Sequence, residues 1–206
     1  MSSVSVLRRI AATAPPVMSM HLAGDPARQS VEDFIRTVYA DRFGADLMHF
    51  APMLISLRVG NRLVAAAGYR SAGTERLFLE AYLQAPIERM LAVDHGAPPA
   101  RARVVEVGHL AAARAGEGMR LMKMLGVHLS AQGFHWVVCT VTEELRHLFG
   151  RLGIATVVLG RADPSALGEP AQRWGRYYEH RPTVLAGCLP RAVQQLARQD
   201  ARESAA

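Results

Sequence analysis

The chain has 206 residues, half of them hydrophobic, which suits one domain with a full core rather than two independent ones. Its formal charge is +6, and Lys123 is the single lysine, so arginine carries almost all of the positive charge. Excess arginine favours phosphates or an acidic carrier protein, whereas the scattered positions and the lack of any helix-turn-helix, zinc or RNA-binding signature exclude nucleic acid as an expected partner.

Residues 1–24 read as an N-terminal extension. Its opening, MSSVSVLRRIAATAPP, has no apolar run long enough for a signal sequence, and no window of the chain approaches the roughly 18 apolar residues of a membrane span. A cytoplasmic protein is expected, and the two distant cysteines, Cys139 and Cys188, fit reduced thiols rather than a disulfide framework or a metal site. Asp25-Pro26 then looks like a helix start, followed at helical spacing by Val31, Phe34, Ile35, Val38 and Tyr39, which predicts a helix over about 27–42. MLISLRV and RLVAAAGY flank Gly60-Asn61, a pair suited to a tight hairpin turn.

LFLEAYL (77–83) is ambiguous between a strand and a helix start. Pro86 opens a helix that should stop near Gly96. VVEVGHLAA predicts a strand over 103–110, and the glycines Gly116 and Gly118 hand it to a helix whose face is Leu121, Met122, Leu125 and Leu129, with Gly133 as its C-terminal glycine. A strand over 135–141 and a short helix bearing Leu145, Leu148, Phe149 and Leu152 follow, with Thr140 or Thr142 as N-cap. A strand at 155–159, a loop from Asp163-Pro164, an aromatic segment with Trp174, Tyr177 and Tyr178, and a last strand near 182–185 close the domain at about residue 189. Residues 190–206 read as a polar helical tail fading into disorder.

This order predicts an α/β fold, a mixed central sheet of about 6–7 strands with helices on both faces. With a glycine turn between a central strand and a helix, it is similar to the GNAT-type (acyl-CoA N-acyltransferase) fold. The segments FGADLMHFAPML, LFLEAYLQAPIE, VVEVGHLAA, GFHWVVCTVTEELRHLFGRLGI, RADPSAL and WGRYYEHRPTVLAG resemble the thermostable hemolysin family, a likeness that runs from about Ile35 to Cys188. The resemblance implies a GNAT-like domain related to acyl-homoserine lactone synthases. It implies an acyltransferase that moves an acyl group, expected to be fatty, from acyl-CoA or from acyl-phosphopantetheine on an acyl carrier protein to a small amine. A membrane-active hemolysin-like protein and a non-catalytic acyl-CoA-binding module are the alternatives, and a homodimer is compatible with either.

In GNAT enzymes the pyrophosphate sits on the turn that leads into the helix. Here that implies Val107, Leu110, Arg114, Gly116, Gly118, Met119 and Arg120 as the cofactor-binding set. The two glycines fit the GNAT pattern; Ala113 stands where Gln or Arg is usual, and Glu117 puts negative charge at a phosphate site. Glu106 stands in an otherwise apolar strand, so burial should raise its pKa towards that of a general base; an ion pair with an arginine is the structural reading. His109 could shuttle a proton or orient the acceptor, or be a hydrogen-bonded structural residue. In a regular strand Glu106 and His109 face opposite sides, so they could cooperate only across a bulge, for which Gly108 is the candidate. Glu80 is a third candidate acid, set against a plain ion pair. Trp174, Tyr177 and Tyr178 could wall a substrate pocket or simply pack, and His147, Tyr177 or Tyr178 could replace the tyrosine with which many GNAT enzymes protonate the leaving thiolate. Cys139 could relay the acyl group, although a mid-strand cysteine usually fills core space.

Overall fold

The structure, a computed structural model, describes residues 14–95 and 97–205, so the expectations for 1–13 and for the helix stop at Gly96 lie outside the described residues. Strand β1 (Pro16–His21) precedes helix α1 (Arg28–Phe43), the hairpin β2 (Met53–Val59) and β3 (Arg62–Ser71), a 3-10 turn (Phe78–Tyr82) and α2 (Ile87–His95). Then come β4 (Val104–Ala112), α3 (Glu117–Ala131), β5 (Trp136–Val141), α4 (Glu143–Arg151) and β6 (Val157–Arg161). A 3-10 segment (Glu169–His180), β7 (Thr183–Cys188) and α5 (Leu189–Ala205) end the domain.

The seven strands form one mixed sheet in the order β1-β2-β3-β4-β5-β7-β6, antiparallel throughout except between β4 and β5. One expectation needs correction and one ambiguity is resolved. The 1–24 extension contains β1, an edge strand paired along its whole length with β2. LFLEAYL is no strand: Glu80 and Glu106 accept the N–H groups of Leu77, Phe78 and Leu79, which turns the segment into 3-10 helix instead of a sheet edge. The 190–206 tail is α5 as far as Ala205, with Leu189 and Leu196 buried and Val193 packed over α3.

Helix periodicity explains the layers. In α1 the buried residues are Val31, Ile35, Tyr39 and Phe43, four apart, and in α3 they are Leu121, Leu125 and Leu129, also four apart. Each of those leucines contributes roughly 1.5–3 kcal/mol by leaving water. Between the helices, Ala65 and Ala67 of β3 face α3 while Ala66 faces α1, all fully buried. Small side chains there let both helices approach the middle of the sheet. No residue of α4 is buried, so its predicted apolar face is only half covered; Thr142 is its N-cap.

Candidate functional site

Strands β4 and β5 are paired only from Val104–Trp136 to Glu106–Val138. Beyond that point β4 runs on to Ala112 and β5 to Val141 without ladder bonds between them, so the edge of β4 along 107–112 opens into a gap. Unpaired backbone groups in such a gap can bond a ligand's carbonyl or amide.

The expected bulge lies in this stretch. His109 and Leu110 stand together opposite Ala67 of β3, and the side-chain alternation changes phase: Val105 and Val107 face α3 before the bulge, Leu110 and Ala112 after it. The residue that takes the left-handed conformation is His109, at φ 53°, not Gly108. Its ring consequently lies on the α1 face, 5.4 Å from the Phe50 ring, which is also the face of Glu106.

Glu106 is 7% exposed. Its Oε2 accepts the Phe78 N–H at 2.7 Å and its Oε1 the Leu79 N–H at 3.1 Å, which anchors the start of the 3-10 turn. Arg70, its cross-strand partner in β3, brings Nε to 3.5 Å and also bonds Glu75. Burial pushes the Glu106 carboxyl up to about 7 against the pull of Arg70 and the two N–H groups. Two of its roughly four lone-pair sites remain for a proton or a water.

His109 behaves in the opposite sense. Burial, helped by the charges of Arg70 and Arg28, lowers its pKa to about 4 despite a hydrogen bond with the His49 backbone, and its Nδ1 is buried without a partner. The native state thus holds fewer protons here than the unfolded chain between about pH 4 and 6.5, and stability is lost as pH falls through that window. Glu106 contributes the reverse slope between about 4.5 and 7, so the histidine is isolated by difference. Wild type should lose stability relative to His109→Asn as pH drops from about 6.5 to about 4 in urea melts; parallel curves would refute the buried neutral imidazole. Asparagine is the apt comparison because it also tolerates the left-handed backbone.

Glu80 has a different setting. It accepts the N–H groups of Leu77 and Ile87 and a two-armed contact from Arg101 at 2.8 and 3.1 Å. Burial raises its pKa, but these donors together outweigh burial and hold it below the usual value. With every lone pair spoken for, it ties the 3-10 turn to α2 and so positions Phe78 and Leu79 over Glu106.

The aromatic segment forms a wall beside that turn. Phe78 lies 5.8 Å from Trp174, which lies 5.2 Å from Tyr177, and Tyr177 donates to the Thr140 carbonyl at 3.3 Å. The Tyr82 and Tyr178 hydroxyls share a hydrogen bond of 2.8 Å. Burial raises both phenols, Tyr82 far above the ordinary value, so both stay protonated. Gly175 makes this packing feasible, since a Cβ there would lie 2.3 Å from the Phe43 carbonyl oxygen. His147 is exposed on α4.

At the far end of β4, Gly116 caps α3 at φ 88°, a conformation that glycine adopts without steric cost. The Glu117 N–H bonds the Arg114 carbonyl and the Arg120 N–H bonds that of Gly116, which leaves the N–H groups of Gly118 and Met119 as the free donors of the helix start among the described residues. Arg114 and Arg120 are exposed there, and Val107 and Leu110 pack on the α3 face. Among the described residues no group of three or more His, Cys, Asp or Glu could hold a metal ion, and no helix is long and apolar enough to cross a membrane.

The profile of the family described as Thermostable hemolysin matches residues 21–193. The chain belongs to the thermostable hemolysin family. No curated protein matches this hemolysin-family chain in sequence. Its structure is similar to that of FeeM, an N-acyl amino acid synthase from uncultured soil microbes, with a TM-score of 0.61 and 16% identity, over 89% of this chain and 95% of that one. The acyl-homoserine lactone synthase LasI aligns with a TM-score of 0.59 at 10% identity, covering 85% of this chain and 91% of its own. BjaI, a CoA-dependent acyl-homoserine lactone synthase solved with SAM and isopentyl-CoA, gives 0.59 at 15% identity over 91% and 89%. A putative N-acetyltransferase from Lactobacillus plantarum aligns with a TM-score of 0.52 at 11% identity over 84% of this chain and 99% of that one, and the fold of this chain is GNAT-like.

Sequence reasoning missed several residues around Glu106 in this family member. Arg70, Tyr82 and Arg101 reach it or its supports through strand pairing and the 3-10 turn, neither of which has a local signature. Thr140, considered only as a cap, has a buried hydroxyl without a partner. Cys139 is a poor relay, because burial and the Glu106 charge push its thiol up to about 12. A Ser56–His21–Asp25 chain, with links of 2.8 and 3.0 Å, has the order of a hydrolase triad, yet Ser56 is fully buried and no substrate can reach it. That chain fastens β1 to β2.

Proposed function

We propose that this hemolysin-family protein is an acyltransferase that moves an acyl group, fatty in character, from a CoA or carrier-protein thioester to a small amine. The observation that carries this reading is Glu106: a carboxyl titrating near neutrality, beside an aromatic wall, where the two central strands part. The N–H groups of β4 at 107–112 polarise the thioester carbonyl, and Gly118, Met119, Arg114 and Arg120 take the phosphates. Glu106 accepts the amine proton as the C–N bond forms and the C–S bond breaks, and the Tyr82–Tyr178 pair returns a proton to the leaving thiolate. Glu80 acts through Arg101 as a positioning residue, and neutral His109 orients the acceptor. The three structural relatives act on acyl groups by their own descriptions, which supports the same class here.

The test measures free thiol released from acyl-CoA and from acyl-carrier protein across a panel of amines, with the N-acyl product identified by mass spectrometry. Amine-dependent thiol release with a matching product is the expected result. Tight acyl-CoA binding without thiol release would replace the reading by a binding module, and dye release from liposomes without any acyl product would replace it by direct lysis.

A further inference from the structure

At the opposite end of the sheet from the gap, a cavity of about 670 Å³ lies between the start of β5, the end of β7, the 153–157 segment and α5. Its size is that of a small-molecule site. Arg191 and Arg198 of α5 line it, seven residues and so about 10 Å apart along one helix face. No carboxylate is among its described lining residues, and neither arginine has an ion-pair partner among the described residues. Both are exposed, whereas the half-buried Arg28, Arg70 and Arg101 are paired with Glu32, Glu106 and Glu80. Between the two arginines the lining is mixed, with Ala192, Gln194 and Gln195 on the helix and Ala155, Thr156 and Val157 across from it. Cys188 also lines the cavity, with Sγ 3.8 Å from His135 Nε2.

We infer that this cavity is a second ligand site, separate from the acyl gap, for an elongated organic dianion with an acidic group at each end. Each guanidinium offers a fork matched to a carboxylate or phosphate, and the chain between the two acidic groups spans the separation of the arginines. Two unpaired positive charges about 10 Å apart select this class over a compact ion or a neutral lipid.

Azelate, a nine-carbon dicarboxylate of about the right span, is the probe, and Cys188 is a built-in reporter. Its alkylation by iodoacetamide is followed by mass spectrometry, with Cys139 as the slow internal control. Azelate should slow Cys188 alkylation at least fivefold and give a saturable calorimetric signal. Nonanoate, with one acidic end, should bind at least tenfold more weakly, as should azelate in Arg191→Gln and in Arg198→Gln, whose melting temperatures should match wild type. Absence of both protection and heat, equal binding of nonanoate and azelate, or unchanged binding in the two variants would each overturn the inference.

Discussion

Glu106→Gln should reduce amine-dependent turnover by about 10² to 10⁴, the usual contribution of a general base, while the protein stays folded. The carboxylate has both oxygens engaged by N–H donors, at 2.7 and 3.1 Å, and an amide can satisfy only one of them as acceptor. The variant therefore also carries a structural cost of about 1–3 kcal/mol for a donor left facing a donor. At roughly 2–4 °C per kcal/mol for a chain of this size, the melting temperature should fall by several degrees only. The pH profile separates the two effects. In wild type kcat/KM should rise with pH through about 7, as the carboxyl ionises, and the residual activity of Glu106→Gln should lack that limb. Full activity in the variant, or the same limb in both proteins, would remove Glu106 from the chemistry.

Gly175→Ala should be the most damaging single methyl group in the molecule. The new Cβ would meet the Phe43 oxygen at 2.3 Å and the Gly44 oxygen at 2.6 Å, both backbone atoms, and the residue sits at φ 54°. Left-handed backbone costs a non-glycine residue about 1–2 kcal/mol, and overpacking adds about 1–3. The neighbours Trp174 and Tyr177 would move with it, so Trp fluorescence and near-ultraviolet circular dichroism should change along with a loss of roughly 10 °C in melting temperature. An unchanged melting temperature would show that the aromatic segment can stand away from the end of α1.

Periodicity made α1 and α3 readable in the sequence, and the Gly60-Asn61 pair made the hairpin readable. Glu106 was legible for a similar reason, because one acid among valines on a central strand has to be buried. Gly108 is the sequence's candidate for a bulge between Glu106 and His109; the bulge falls instead at His109 and Leu110, opposite Ala67, with His109 at positive φ. LFLEAYL defeated a local reading because its conformation is imposed by two carboxylates, one of them 27 residues away in Glu106. β1 was lost because PVMSMH exposes Val17 and Met20 on a sheet edge, so its pattern does not resemble that of a buried strand. The ion pair from Arg70 depends on register, which no single segment encodes.

The seam between β4 and β5 has a consequence for how the chain reaches this structure. Strands β1 to β4 are neighbours in the sheet in the order of synthesis, whereas β5, β7 and β6 join them through three residue pairs only. Contacts between sequence neighbours cost the least loop-closure entropy, which favours pairing of β1 to β4 before β5, β7 and β6 join them. Because β5 pairs with β4 as far as Glu106–Val138, the burial that raises this carboxyl needs both halves of the sheet, and its proton uptake should be complete only once they have joined.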